Sequence, residues 1–413
     1  MSRIFEPGDV KIKRVELFNK KLNASVNPFD QITGIDIFED MSKPTLYAAV
    51  FFNDNIGLIE SFPIIGEEEF TIEFQTPGIN STTTYKFRSF ELANVQKNPN
   101  GKGATFTLRC VSEEHLYNGS QLITKSYTDI ISNIVPNVLS SYLNSKKEMI
   151  IDKTKGIQTL AIPKINPLQT IDMCRQRAVS AEYPTSSYVF FENQAGFNFK
   201  TVEGLIKEGK KTIGSRTFNA NQNVMGSKDA LTDAYRTILD YQQIQGTDSN
   251  KKAAEGAFKA VTSVFDISTK NFSKENFDVK DIYSKIQKMD KTAQIPNTDD
   301  FIDKFGSGVP KTFFIPKDTT RPDNFIDTMI AARNSFVVLL NSNVTRVLIH
   351  GDSGLKVGDL VALHLPSPTG TTGRKKEDAM TSGNYLITRL RHMITPSSKS
   401  KHQIVFDCVS MGI

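Results

Sequence analysis

The sequence predicts an α+β fold that is mainly β: two small antiparallel β-barrels separated by an α/β module and a helical insertion. Three observations predict it. Short runs of β-branched and apolar residues, punctuated by Gly, Asn, Ser and Pro, fill both ends of the chain. In the middle, apolar residues recur at three- and four-residue spacing, the helical period. Strand signals then return and repeat most tightly over Asn343–Ile413. On these grounds the chain divides into a first barrel at 1–112, a middle α/β module at 113–210, a mainly helical insertion at 211–310, and a helix with a second barrel at 311–413.

The first barrel rests on Val10–Phe18, Gln31–Phe38, Thr45–Phe52, Glu69–Gln75, Thr84–Leu92 and Ala104–Val111, separated by turn clusters such as Asn53-Asp54-Asn55 and Asn98-Pro99-Asn100-Gly101. In Thr45–Phe52 both faces are apolar, with Leu46, Ala48, Val50 and Phe52 on one and Tyr47, Ala49 and Phe51 on the other. Such a strand is buried on both sides or lies in an interface; a central strand covered by a local helix fits the same pattern.

After Cys110, the spacing of Ile131, Ile134, Val135, Val138, Leu139 and Tyr142 predicts an amphipathic helix, which Pro136 should kink or restart. A second helix should begin at Pro167 behind an Asn166 cap and run through Ile171, Cys174 and Ala178. Tyr188–Phe191 and Phe197–Lys200, flanking the polar loop Glu192–Gly196, predict a hairpin. From Ser227 to Lys304 three stripes predict helices: Leu231/Ala234/Tyr235/Ile238/Leu239, Ala254/Ala257/Phe258/Val261/Val264/Phe265 and Ile282/Ile286/Met289. A last helix, capped near Thr320 with Pro322 in its first turn, carries Ile326, Met329, Ile330, Arg333, Val337 and Leu340 into the C-terminal strands.

Those strands are Asn343–His350, Leu355–Leu365, Asn384–Ile394 and His402–Ser410. Gly358 and Asp359 sit where the chain turns into the second of them, and Val361, Leu363 and Leu365 alternate onto one face. The polar segment Pro366–Gly383, with the charge run Arg374-Lys375-Lys376-Glu377-Asp378, is too long for a hairpin turn and too polar for a core. It should be mobile, or ordered by a partner.

With 413 residues the chain has room for two to four packing units. A hydrophobic share of 38% with 23% charged residues is that of an ordinary folded protein, which argues against disorder. The formal charge of +5 is small, but Asn343–Ile413 holds five Lys and four Arg against five acidic residues. That bias suits an acidic partner or nucleic acid, and equally a solvated face. Cys110, Cys174 and Cys408 have no paired spacing, so neither a disulfide framework nor a zinc knuckle is indicated. No apolar stretch suits a signal peptide or membrane span, so the expectation is a protein made and kept soluble in a cytoplasm.

Catalytic signatures are not found. Walker A, G-x-G-x-x-G, G-x-S-x-G and H-E-x-x-H patterns are missing. His350, His364, His392 and His402 crowd into the C-terminal strands without short ligand spacing, which fits half-buried, hydrogen-bonded side chains better than a metal site. Glu67-Glu68-Glu69 must alternate across a strand start and reads as a solvated turn. No cofactor and no catalytic residue is expected.

Three patterns carry a resemblance. They are L-K-V-G-D-L-V at Leu355–Val361 followed by Y-L-I-T-R-L-R-H-M-I at Tyr385–Ile394 and the closing strand Gln403–Ser410; the helix and Phe-rich strands of Pro167–Leu205; and Asp54-x₁₁-Gly66-Glu67 with F-T-I-E-F at Phe70–Phe74. In this order they resemble the central baseplate hub protein of contractile-tailed bacteriophages, the ring that joins the tail tube to the spike. The pattern residues of its second tube-binding barrel would be Gly354, Gly358, Asp359, Tyr385 and His392. The resemblance implies a non-enzymatic homotrimer whose paired barrels form a six-unit ring. Its partners would be the tail tube protein, the central spike protein and other baseplate proteins, with genomic DNA passing through its channel and no membrane insertion. The mature protein would reside in the virion, at the tail baseplate, after synthesis in the host cytoplasm. Candidate contacts are Tyr47 and Phe51 on the doubly apolar strand and Arg374, Lys375 and Lys376 in the basic loop. The insertion at Ser227–Lys304 departs most from the family's pattern. Alternatives are the hub of a related contractile injection device (a phage-derived bacteriocin or a type VI spike base), a tail-associated cell-wall hydrolase, and a nucleic-acid-binding protein.

Overall fold

Alternating apolar residues lay down one long antiparallel sheet. The structure is a computed structural model that describes residues 6–78, 82–97, 103–220, 234–245, 248–289, 311–318, 326–367, 377–378 and 380–411. The N-terminal strands are β1 (Lys11–Asn19), β2 (Ala24–Val26), β3 (Ile32–Asp40), β4 (Tyr47–Asp54), β5 (Glu69–Gln75), β6 (Thr83–Lys97) and β7 (Ala104–Val111). The middle holds β8 (Ser126–Ile130), β9 (Met149–Ile151), β10 (Ile157–Ala161), β11 (Tyr188–Asn193) and β12 (Gly196–Thr201). Then come β13 (Thr217–Asn219), β14 (Ile238–Gln245), β15 (Lys259–Asp266), β16 (Phe272–Asp278) and β17 (Lys311–Lys317), and finally β18 (Asn343–His350), β19 (Leu360–His364), β20 (Gly383–Thr395) and β21 (Lys401–Ser410).

The fold is α+β and mainly β, as expected. The two strand-rich ends nevertheless share one thirteen-stranded sheet of order β14-β18-β21-β20-β3-β4-β7-β6-β5-β1-β2, with β19 branching from β20 and β13 pairing with β19. Among the described residues its ladders run as an open path, and single bridges bring the start of β1 back to β21 (Asp9 to Lys401) and β13 to the foot of β14 (Asn219 to Thr237). The seam is the antiparallel pair of β3 and β20, where Ile35–Asp40 faces Arg389–Ile394. Each end still wraps a core of its own. Phe70, Ile72 and Phe74 of β5 lie with Ala48, Val50 and Phe52 of β4 in the N-terminal core. Val347, Leu363, Leu386 and Phe406 lie in the C-terminal one.

The middle module is as expected in outline. Asn166 and Gln169 form a reciprocal capping box at the start of helix Pro167–Arg177, with Pro167 in the first helical position. The hairpin β11–β12 turns through Gln194-Ala195, tighter than the expected loop, because Gly196 takes a φ of +126°. Pro136 neither restarts nor ends its helix, which runs from Ile131 to Tyr142 with Pro136 inside it. Burial of Ile134, Val135, Val138 and Leu139 in the module's core holds that helix together across the missing N–H.

The helical insertion is corrected. Ile238–Gln245 is strand β14 of the main sheet, and only a short helix, Ser249–Ala254, precedes strand β15. β15 pairs with β16 and β17 in a separate three-stranded sheet against the long helix Ile326–Leu340. Short apolar runs rich in Val, Thr and Phe fit either period, and here available strand partners decided. Of the third stripe, Ile282 alone lies in a short helix, Val279–Tyr283. Residues 231–233, the Thr320–Pro322 cap and Arg374–Lys376 lie outside the described residues.

Candidate functional site

The polar chemistry of the molecule converges behind the β3–β20 seam. On the outer surface the seam is flanked by Arg391–Asp36 at 2.6 Å and Arg389–Asp40 at 3.2 Å. On the inner side Glu39 is 1% exposed, the cost of which is met by three donors. The hydroxyl of Tyr85 donates to its Oε1 at 3.0 Å, the N–H of Gln194 to the same oxygen at 2.9 Å, and the N–H of Val357 to Oε2 at 2.8 Å. One carboxylate thus holds the N-terminal sheet, the middle hairpin and the turn before β19. Burial raises its pKa to about 7 against the lowering effect of those donors.

The chain continues inward. Tyr85 Oη lies 3.2 Å from Nε2 of His392, whose Nδ1 lies 3.0 Å from Nε2 of His402. If Tyr85 donates to Glu39, His392 must donate through Nε2 and accept at Nδ1 from His402. That leaves His402 Nδ1 as a bare lone pair, and it has no hydrogen-bond partner. Both imidazoles are therefore neutral: burial pushes His392 down to about 3 and His402, which also feels His392, well below its ordinary value. The site for a side chain at Gly351 is occupied, since an added Cβ would stand 2.1 Å from the His402 ring.

Two further joints tie the middle module in. Glu192 of β11, 2% exposed, accepts from Ser112 Oγ at 2.6 Å, from the N–H of Leu46 at 3.1 Å and from Lys147 Nζ at 2.6 Å. Lys147 also reaches Glu114 at 2.6 Å. Arg333, on helix Ile326–Leu340, donates to the carbonyls of Ser186, Gln176 and Ala178 at 2.9, 2.7 and 2.6 Å. Burial and Arg175 lower its pKa to about 10. A cleft of about 740 Å³ opens beside it, floored by Met41, Val189 and Leu340 and edged by Arg175 and Arg389.

The expected site residues do not form one site. Tyr47 and Phe51 sit on the outer face of β4; Tyr47 lies between Phe38 and Phe90, with ring centroids at 5.6 and 6.4 Å, and Phe51 is 37% exposed. Gly358 takes a φ of +91° and packs under Phe191 and Leu205, and Asp359 pairs with Arg216 at 2.6 Å. Gly354, whose N–H donates to Asp352 at 2.8 Å, makes the preceding turn. Tyr385 donates to Thr381 O at 2.7 Å and accepts from Asn343 at 3.0 Å, away from His392. Of the four crowded histidines only His392 and His402 meet. Glu68 overturns the solvated turn: it is buried, accepting from the N–H groups of Ile65 and Gly66 and from Ser89 Oγ at 2.8, 3.1 and 2.7 Å. Sequence reasoning missed Glu39 and Glu192 because their donors come from residues far along the chain.

Cys110, Cys174 and Cys408 are buried free thiols, and burial raises the pKa of each. Among the described residues no group of three or more His, Cys, Asp or Glu is placed to hold a metal ion, and no helix is long and apolar enough to cross a membrane.

No family model matches the chain. A probable baseplate hub protein, gp334 of Vibrio phage KVP40, is 20% identical over 412 residues, covering 94% of this chain and 92% of that protein. The resemblance to a baseplate hub protein holds over most of the chain. The fold is shared with solved tail proteins. The 43 kDa tail protein of prophage MuSo2 from Shewanella oneidensis superposes with a TM-score of 0.58 at 8% identity, covering 96% of this chain and 98% of that one. A tail protein from Neisseria meningitidis MC58 gives 0.53 at 8% identity, covering 96% of each chain.

Proposed function

We propose that this chain is the structural hub of a phage tail baseplate, a homotrimeric ring that joins the tail tube to the central spike and leaves a channel for DNA. The observation that carries it is similarity to a probable baseplate hub protein over nearly the full length of both chains. The shared fold with two tail proteins supports it independently of sequence. In this reading the two ends of the main sheet are two barrel-like lobes, each wrapped around its own core, so three chains would present six units to a sixfold tube. The buried joint at Glu39 and the seam of β3 with β20 tie the two lobes together, as a load-transmitting ring needs. The outer stripe of Phe38, Tyr47 and Phe51, half-exposed and aromatic, is a contact for a neighbouring tail protein, and the basic run Arg374–Lys376 a second. The role is structural rather than enzymatic, and the working location is the virion tail.

Electron microscopy of the purified chain tests this reading. A ring of threefold symmetry with a central hole is expected; a monomer, or a ring of any other symmetry, would exclude the tube-mating arrangement.

A further inference from the structure

The two ends of the main sheet are not alike. At one end β14 pairs only with β18 among the described residues, and from Leu239 to Ile244 it is exposed on both faces. Leu239, Tyr241 and Ile244 are 38%, 40% and 48% exposed, and the strand's one charge is Asp240. Exposed edge strands are ordinarily guarded by lysine, proline or twist. Here register shifts stand only at the two ends, leaving Asp240–Gln243 in regular pairing with Leu348–Thr345. At the other end β2 covers only Leu17–Asn19 of β1, so Lys11–Glu16 has no partner strand on that side among the described residues. That edge is basic, with Lys11, Lys13 and Arg14 exposed against Glu16.

The directions agree as well. Every pairing on the path is antiparallel, and β1 is the tenth strand counted from β14, so the two run in opposite senses. A β1 edge laid beside β14 of another copy therefore continues the antiparallel alternation, with Asp240 set against a cationic strand.

We propose that β14 of one copy takes the Lys11–Glu16 edge of β1 from a second copy of this chain, so that the sheet runs on from one subunit into the next. The proposal rests on the ring reading above and names the contact that closes it. The contact is heterologous, head to tail, the kind that closes into a ring when the rotation between copies permits. Main-chain hydrogen bonds supply the attraction and the opposed charges set the register.

Two sets of variants of the full-length chain test it. Asp240→Cys with Lys13→Cys places thiols on the two edges, and the native cysteines are buried, so mild oxidation should give covalent multimers on a non-reducing gel. Neither single variant should. Tyr241→Lys with Ile244→Lys guards the β14 edge at exposed positions and should leave the far-UV circular dichroism of the folded chain unchanged while sedimentation shows monomers. A wild-type multimer that the lysine pair leaves intact, with no cross-link, overturns the β14–β1 contact and leaves the ring reading standing. Monomers in the lysine pair without any cross-link mean that β14 meets a different strand, which also overturns it. A wild-type chain that is monomeric at micromolar concentration overturns the ring reading itself.

Discussion

Glu39 accepts the phenolic hydrogen of Tyr85 at 3.0 Å across the boundary between β3 and β6, and through Tyr85 it is linked to two neutral buried histidines. The three groups titrate in opposing directions, which makes the joint measurable. Glu39 is raised from 4.5 to about 7, so the folded chain holds a carboxyl proton that the unfolded chain has released, and stability contributed this way is lost as pH rises towards 7. His392 and His402 are lowered from 6.5, so below 6.5 the unfolded chain takes up protons that the fold refuses, and stability falls with acid. Between pH 4.5 and 6.5 the two histidines outweigh the one carboxyl by about one proton, roughly 1.4 kcal/mol per pH unit. Glu39→Gln removes the opposing proton and should make the chain's stability rise with pH more steeply by about 1.4 kcal/mol per unit, read as the urea midpoint from pH 5 to 6.5. Its amide nitrogen must also face one of the donors, so absolute stability drops at every pH. An unchanged slope would show that Glu39 does not hold its proton in the fold.

Glu192 offers a cleaner deletion. It is buried and shared by Ser112, Leu46 and Lys147. Glu192→Ala removes one of the two carboxylates that hold Lys147 and strands the Ser112 hydroxyl and the Leu46 N–H, and each buried donor left unmade costs about 1–3 kcal/mol. Lys147→Met with Glu192→Ala should recover part of that loss in a double-mutant cycle. Additive losses would mean that the two side chains do not interact.

Gly351 should refuse a methyl group. An added Cβ would meet the His402 ring at 2.1 Å, and that ring is held by His392 behind it and by T-shaped contact with Phe74 at 5.3 Å. Gly351→Ala is expected to destabilise by about 1–3 kcal/mol through overpacking. His402→Ala in the same chain should remove most of that penalty, and a Gly351→Ala variant as stable as the parent would show that the ring has room to move.

What the sequence yielded follows the range of the forces involved. Strands such as Glu69–Gln75 and Asn343–His350 were legible to the residue because alternation and flanking turns are local signals. The cap at Asn166 was legible for the same reason. Pairing was not: nothing near Phe38 announces that its strand lies against Arg391, over 350 positions later. The same limit hid Glu39, which looks like one acidic residue in a strand until Tyr85, Gln194 and Val357 are brought to it. In the insertion, Ala257, Phe258, Val261 and Val264 match a helical stripe and a strand equally well, and the partners β16 and β17 settled the matter.

Purified protein should show no turnover of peptidoglycan or of nucleotides. The buried acids Glu39 and Glu192 are held by structural donors, and His392 and His402 are enclosed and neutral, poorly placed to move protons for a substrate. Turnover abolished by changing one Glu or His would contradict a purely structural role.

Replacing Ser227–Lys304 with a short Gly/Ser linker is the widest test of how the chain is divided. A peripheral insertion would leave the rest folded. The structure points the other way, because the segment contributes β14 to the main sheet and Ala257, Phe258, Val279, Ile286 and Met289 to the C-terminal core. Phe258 and Val279 are fully buried, and they share that core with Phe336, Leu339 and Val347. Losing one buried Phe costs about 3–5 kcal/mol. Losing five buried side chains with an edge strand exceeds the whole stability of an ordinary domain, about 5–15 kcal/mol. The deleted chain should therefore be insoluble, or should unfold without a cooperative urea transition in the C-terminal half. The N-terminal half, with a separate core, should keep its transition, followed by proteolysis and mass spectrometry of the surviving fragment. A soluble deletion variant with the parent's urea midpoint would show that the segment is peripheral after all.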